Sequence, residues 1–380
     1  MRPTPSVLQR TNPMPPAPCD SSKAEFFSLL PDELESLVQR WGMPRFRAGQ
    51  VLDWVYRKGV TDPGQMLNLS KQDRAILAER CCFATAETIA KQLSNDGTLK
   101  LLLTWGESSG ANAETVMIPD GPRRTACVSS QVGCPVGCHF CASGINGVKG
   151  NLTAGQIVEQ VSALNRAMQR EGIESPNITN VVFMGMGEPL ANYANVMKAI
   201  RILHEPKCMN LGARRITIST VGVPAKMREL ANEDLPLNLA ISLHAPTEPL
   251  RRQLIPWAEH FALEEILDAA RYYFQRSGRE ITLEYILLSE VNDQPEHARQ
   301  LARLCKTLRA NVNLIRYNEV ASLPFKRPRA EDVVRFQQIL REAGVNAHVR
   351  KSRGRDIDAA CGQLRRKEQQ RREQLVQVRV

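Results

Sequence analysis

The chain has 380 residues, 43% of them hydrophobic, and 50 Lys plus Arg face 40 Asp plus Glu for a formal charge of +10. That is enough apolar material for a sizeable core and too much for a disordered chain, and no run approaches the ~18 uninterrupted apolar residues of a membrane span. The first residues lack an apolar h-region, so no secretory signal is expected; the chain is expected in the cytoplasm, where its ten cysteines stay reduced.

Those cysteines read as ligands, nucleophiles or small buried hydrophobes before disulfide staples. The positive excess admits a polyanionic partner without naming one. Residues 1–22 are mostly Pro, Ser, Thr and Asn and predict a disordered leader. Over 23–85 the apolar residues follow a helical period, as in Leu34, Leu37, Val38 and Trp41, then Val51, Leu52 and Val55, with Pro44, Gly49 and Pro63 as punctuation. This predicts a small helical bundle. Over 86–124, short runs at Leu101 to Thr104 and Glu114 to Ile118 are broken by Asn95-Asp96-Gly97 and by Ser108 to Gly110. Asp-Gly supplies the positive φ of a tight turn, so a β-hairpin is expected.

Over 125–362 the text alternates. Apolar or β-branched runs at Ala126 to Val132, Ile178 to Phe183, Arg215 to Thr220, Leu237 to Leu243, Ile281 to Leu287 and Val312 to Tyr317 are separated by helical stretches. The clearest helix, Leu152 to Arg170, opens on Thr153-Ala154-Gly155-Gln156 with capping-box spacing and aligns Ile157, Val161, Leu164 and Met168 on one face. Strands separated by helices predict an α/β fold, a partial (βα)6 barrel whose active-site residues sit at the C-terminal ends of the strands. Residues 363–380 form a basic tail, read as a solvated extension or as a contact for nucleic acid.

Directly after the first of these runs come Cys134-Pro135-Val136-Gly137-Cys138-His139-Phe140-Cys141. Three thiolates on one tight loop can hold three corners of an iron–sulfur cube and leave the fourth iron open for a substrate. The alternative is a zinc knuckle completed by His139 or a distant ligand, but structural zinc sites usually draw four ligands from two separated pairs, and the chain has no second CxxC.

This loop resembles the signature of radical S-adenosylmethionine (SAM) enzymes. Met184-Gly185-Met186-Gly187-Glu188-Pro189 is similar to the glycine-rich segment of that superfamily. Cys127 to Cys134 and Asp356 to Leu364 resemble two segments of the RlmN/Cfr family of RNA adenine methyltransferases, and the resemblance extends from about Lys23 to Leu364. It implies a radical SAM barrel with a small N-terminal helical accessory domain that binds RNA and a β-hairpin extension. It also implies one [4Fe-4S] cluster held by Cys134, Cys138 and Cys141, two SAM molecules per turnover, and an electron donor such as flavodoxin. SAM contacts are implied for Gly187, Glu188, Ser219, Ser242, Leu243, His244 and Asn318. From the residues alone, glycines at 185 and 187 let a backbone approach a ligand closely, and Glu188 can accept from an ammonium group.

Cys127 and Cys361 would by themselves be buried free cysteines. Chemistry gives them a use. An adenine C2 or C8 is electron-poor, so ordinary displacement on the SAM methyl group cannot reach it, whereas a thiolate can take that methyl first. The resemblance implies that Cys361 accepts the methyl, that a radical made from a second SAM abstracts hydrogen from it, and that the resulting carbon radical joins protein to RNA. It further implies Glu114 as the proton acceptor and Cys127 as the resolving thiol, through a transient disulfide with Cys361.

The implied substrate is an adenosine of 23S rRNA, and for some members also of tRNA. Arg40, Arg45, Arg47, Arg57 and Lys58 of the helical domain are candidates for positioning its phosphates, or else form a solvated face. Typical members carry Gln-Gln-Gly-Phe shortly after the last cluster cysteine; here Ile145-Asn146-Gly147-Val148 follows, which leaves C2 and C8 both open. Two further readings are a radical SAM enzyme of another substrate class and a non-catalytic iron–sulfur RNA-binding factor.

Overall fold

The structure, a computed structural model, describes residues 22–106, 111–174 and 176–364. The expected leader and basic tail therefore lie outside the described residues, apart from Ser22, Gln363 and Leu364. No helix among the described residues is long and apolar enough to cross a membrane.

The helical bundle forms as the periodicity predicts. Leu34 and Val38 of Pro31–Arg40 and Val51 and Leu52 of Arg47–Leu52 are buried at 2% exposure or less, because their spacing puts them on the inner stripe. Phe26, Phe27, Tyr56 and Phe83 close this core with ring centroids 5.0 to 5.8 Å apart. The bundle seats on the barrel through Gly155, whose N–H donates to Ser28 Oγ at 3.0 Å; a Cβ there would meet the same oxygen at 2.4 Å.

The strands form one ten-stranded sheet in which each neighbours the next in the chain. Glu87–Leu93, Leu99–Trp105, Ala111–Asp120 and Arg123–Cys127 run antiparallel. Parallel strands follow at Asn180–Phe183, Ile216–Thr220, Asn238–Ser242, Ile281–Leu287, Ala310–Arg316 and Ala347–Arg350. The partial barrel is thus as expected, but the hairpin is larger. It is a meander that continues the barrel sheet, with the Asp96-Gly97 turn joining its first two strands (Gly97 φ +80°). The sequence signal missed Glu87–Leu93 because that edge strand is largely exposed and polar.

The run expected at 126–132 also divides. The sheet strand ends at Cys127, and Gln131–Gly133 pairs instead with Val148–Asn151 in a separate hairpin. Side chains cause the break. Gln160 takes both backbone groups of Ser129, accepting from its N–H at 2.8 Å and donating to its carbonyl at 2.9 Å. Ser129 Oγ meanwhile donates to the Glu114 carbonyl at 2.6 Å. The helix that supplies Gln160, Ala154–Arg170, carries the capping box at Thr153 and Gln156 and fully buries Ile157, Val161, Leu164 and Met168.

Candidate catalytic site

Cys134, Cys138 and Cys141 line one cavity at the C-terminal ends of the parallel strands. Glycines fold their loop: a Cβ on Gly133 would lie 2.0 Å from the Gly147 carbonyl oxygen, and one on Gly144 2.9 Å from the Gly137 α-carbon. The Cys134 N–H donates to the Gly147 carbonyl at 3.1 Å and the Cys141 N–H to the Cys138 carbonyl at 3.0 Å. Burial pushes all three thiols up, Cys134 to about 12, and repulsion from neighbouring sulfurs adds to it. Thiols so placed ionise together only around a bound cation.

His139 takes no part in this group. It does not line the cavity, and its Nδ1 lies 2.9 Å from the Gln253 carbonyl. Among the described residues no three His, Cys, Asp or Glu side chains are arranged to hold a single metal ion. Three thiols spread around one cavity are instead the donor set of an iron–sulfur cube with an open iron, so the residues present fit the cluster. Arg251, 1% exposed, adds a fixed cation that interacts electrostatically with the Cys138 thiol and donates to the Val221 carbonyl.

Of the residues expected to contact SAM, Gly187, Glu188, Ser219, Ser242 and His244 line the same cavity. Glu188 is buried, with one carboxylate oxygen accepting from the Leu190 N–H and the other from the Val221 N–H, both at 2.9 Å. Thr220 adds a side-chain hydrogen bond to the carboxylate, which still retains acceptor capacity for a ligand. His244 Nδ1 accepts from the Ile286 N–H at 3.1 Å, which places its proton on Nε2. Burial, assisted by the Arg251 charge, depresses its basicity to about 3, so it is a neutral donor. Leu243 is not brought to the cavity; its side chain is fully buried in the main core. Asn318 lies one step away, donating to the Cys361 carbonyl at 3.4 Å.

The glycine-rich segment, whose Gly185 and Gly187 line this cavity, is also packed closely from within the protein. Gly185 and Gly187 press against the 128–131 turn: a Cβ on Gly187 would lie 2.7 Å from both Gln131 Cβ and Ser130 Oγ, at φ +105°. Replacing Gly187 by Ala is expected to destabilise the fold by about 3 kcal/mol, from overpacking plus positive-φ strain. Denaturant unfolding measures this against Gly212→Ala, where a Cβ meets nothing within 4 Å and the change should stay within about 0.5 kcal/mol.

The loop that carries Cys361 docks directly on the cysteine loop. The Ala142 N–H donates to the Gly362 carbonyl at 2.8 Å, and Ser143 Oγ donates to the Leu364 carbonyl at 2.9 Å. Cys361 therefore lines the cavity of the cluster cysteines, and it also lines a second pocket with Cys127. The disulfide expected between these two is not formed; both sulfurs are free. Burial is the main reason that the Cys127 thiol is pushed up to about 12, with repulsion from Cys361 adding, so the resting sulfur stays protonated.

Glu114 stands near Cys127 by register. Val116 pairs with Cys127 across the sheet, and Glu114, two residues along, projects to the same face. It is ion-paired with Lys100 at 3.2 Å, both side chains 9% exposed or less. Lys100 also donates to the Asp358 carbonyl at 3.2 Å, tying the expected base to the Cys361 loop. Breaking a buried pair on one side costs about 3 kcal/mol, so Lys100→Met should lower the unfolding free energy by that order in a denaturant titration, with methylation lost in proportion as the Cys361 loop loosens.

Lys100 and Arg350 escaped the sequence reading. Arg350 ends Ala347–Arg350 and lines the cluster cavity, where Cys361, then Glu284 and Cys127, favour its charged form. A signal existed: Val345, Ala347 and Val349 alternate with Asn346, His348 and Arg350, the period of a half-buried strand. Four of the five basic residues proposed for RNA already have carboxylate partners: Arg45 with Glu35, Arg47 with Asp73, and Arg57 and Lys58 with Asp53.

Comparison with known proteins places this geometry. Residues 128–305 match the model of the radical SAM superfamily, and residues 25–83 match the ribosomal RNA large subunit methyltransferase N-terminal domain. A probable dual-specificity RNA methyltransferase RlmN of Thermotoga neapolitana is 48% identical over 88% of this chain and 96% of its own length. A protein of the same description from Symbiobacterium thermophilum is 47% identical over 90% and 91%. Among solved structures, a radical SAM methyltransferase from Sphaerobacter thermophilus superposes with a TM-score of 0.86 at 44% identity, covering 90% of this chain and 99% of that one.

Proposed function

The chain belongs to the RlmN family of radical SAM RNA methyltransferases, and on that premise we propose that it methylates an adenine ring carbon, C2 or C8, by way of a methyl group carried on Cys361. One observation carries this reading: Cys361 faces the cavity of the three cluster cysteines on one side and shares a pocket with Cys127 on the other. A methyl group on its sulfur is within the reach of both.

When bound, the cluster and SAM supply a methyl cation equivalent and, in a second use of SAM, a one-electron hydrogen abstraction. The chain's own residues do the rest. Cys134, Cys138 and Cys141 hold the cluster. Glu188, Ser219, Ser242 and the Nε2–H of His244 converge on the cavity from three different strand ends and provide acceptors and donors for the polar groups of SAM. Cys361 takes the methyl group, Glu114 accepts the ring proton while Lys100 holds it in place, and Cys127 releases the product. Asn318 positions the Cys361 loop through the carbonyl of Cys361.

The substrates are an adenosine of 23S rRNA and one of tRNA, in keeping with the dual specificity named for the relatives. The electron is delivered by an external carrier such as flavodoxin. The test is chemical: 23S rRNA and tRNA treated with the reconstituted protein, SAM and a reductant are digested and examined by mass spectrometry. Methyladenosine carrying the group on C2 or C8 is expected. SAM cleavage with no methylated base would assign the radical chemistry to another substrate, and RNA affinity with no SAM cleavage would leave a binding factor.

A further inference from the structure

Closed (βα) barrels fill their interior with layers of bulky branched side chains. This sheet does not. Behind the cysteines, Thr125, Thr217, Asn238, Thr282, Asn311 and Asn313 point inward, with Val182 and Ala240 as apolar neighbours from the parallel strands, around a chamber of about 1000 Å³. The chamber opens beside Arg123, Arg279 and Glu280, near the N-terminal ends of the strands, and its inner wall is formed by Met184, Glu284 and Arg350. Those three residues also line the cavity that holds Cys361.

Glu284 is the group on this shared wall with unused capacity. It is 3% exposed. One carboxylate oxygen accepts from Asn313 Nδ2 at 3.0 Å, whereas the other, Oε2, is buried with no hydrogen-bond partner. Buried polar atoms left in this state are rare and costly unless a ligand, a water or a mobile proton uses them. The chemistry of the cysteine side creates such a need. Cys361 must lose a proton before it can take a methyl group, and its own loop lies folded against the cysteine loop on that side.

We propose that Glu284 and the hydroxyl- and amide-lined chamber behind it form the proton route between Cys361 and bulk solvent. This rests on the reading of Cys361 as methyl acceptor. In the step, the Cys361 S–H bond breaks and its proton passes, through water, to Glu284 Oε2. The sulfur lone pair forms the S–CH3 bond while the sulfonium C–S bond breaks, and its electrons remain on the departing thioether. No net oxidation occurs, and Glu284 then returns the proton to water in the chamber.

The groups facing Glu284 suit this traffic. Burial raises the Glu284 carboxyl above its ordinary value, while Arg350 of the Ala347–Arg350 strand and Asn313 of Ala310–Arg316 favour the carboxylate. The Asn238–Ser242 strand presents no titratable side chain. His348, Asp120, Arg123, Arg279, Glu280, Lys351 and Arg353 stand in or at the mouth of the chamber, and Glu188, His244, the three cluster cysteines and Cys361 lie on the other side of the wall.

The test is single-turnover S-methylation of Cys361 in the cluster-loaded full chain, followed by peptide mass across a pH series. Glu284→Gln keeps a bond to Asn313 but can neither take up nor release a proton, and it should slow the step about 100-fold and flatten its pH profile. Glu284→Asp should restore part of both. Thr217→Leu, which fills the chamber with hydrocarbon and leaves Glu284 in place, should slow the step with SAM affinity unchanged. Wild-type rates and pH dependence in Glu284→Gln, or in Thr217→Leu, would overturn the route. A wild-type chain that leaves Cys361 unmethylated would overturn the acceptor reading itself.

Discussion

Cys361→Ala is expected to yield RNA with no added methyl group while the protein still binds its full complement of iron. The effect should be of the order lost when a catalytic nucleophile is removed, about 10⁴-fold or more, because no other thiol stands where Cys361 does. Cys127 shares a pocket with it but does not line the cluster cavity, and the cluster cysteines are committed to iron. The substitution leaves the loop in place, since its docking uses backbone groups at Cys361, Gly362 and Leu364 and not the sulfur. Iron content and unfolding midpoint should therefore match those of the unaltered chain. Methyladenosine forming at an undiminished rate in this variant would end the relay mechanism.

Cys127→Ala is expected to fail later, with protein and RNA remaining covalently joined. Such a species would run as a slow, nuclease-sensitive band on a denaturing gel, with turnover falling to about one event per chain. The sulfur is almost fully buried and protonated at rest, with burial and the neighbouring Cys361 sulfur both holding its pKa up, to about 12, against the pull of Arg350. Methylation of Cys361 removes the second of these causes, since a thioether carries no charge. Release by Cys127 therefore becomes easier only after Cys361 has been loaded, which orders the two thiols without any movement of the fold. Because the reactive form is the thiolate and its pKa lies high, the release rate should climb about tenfold per pH unit across the neutral and mildly alkaline range. A flat pH dependence, or free methylated RNA from Cys127→Ala, would remove this residue from the release step.

Much of this molecule is legible from local pattern. Helix Ala154–Arg170 follows from its capping box and apolar stripe, and the later parallel strands follow from their β-branched runs. The first strand did not, because Gln160, on a helix remote in sequence, satisfies the backbone of Ser129 and lets the chain leave the sheet. The glycines of the Met184–Pro189 segment were legible as glycines that something must approach closely. That Ser130 and Gln131 are the residues packed against Gly187 depends on the tertiary structure.

The sequence by itself determined the metal-binding loop. Cys134, Cys138 and Cys141 are so close along the chain that their thiols can share one site wherever the rest of the chain goes. Only the tertiary structure decided what surrounds that site. Cys127 and Cys361 stand more than half the chain apart, and they meet because the last parallel strand, Ala347–Arg350, is added beside Ala310–Arg316 and the Cys361 loop then bonds to Ala142 and Ser143. The same arrangement brings Arg350 and Glu284 to one wall and gives Lys100 two partners from different segments. A charge or a thiol has no periodicity of its own to announce such meetings. Its role is set by burial and by neighbours, and both exist only once the sheet has formed.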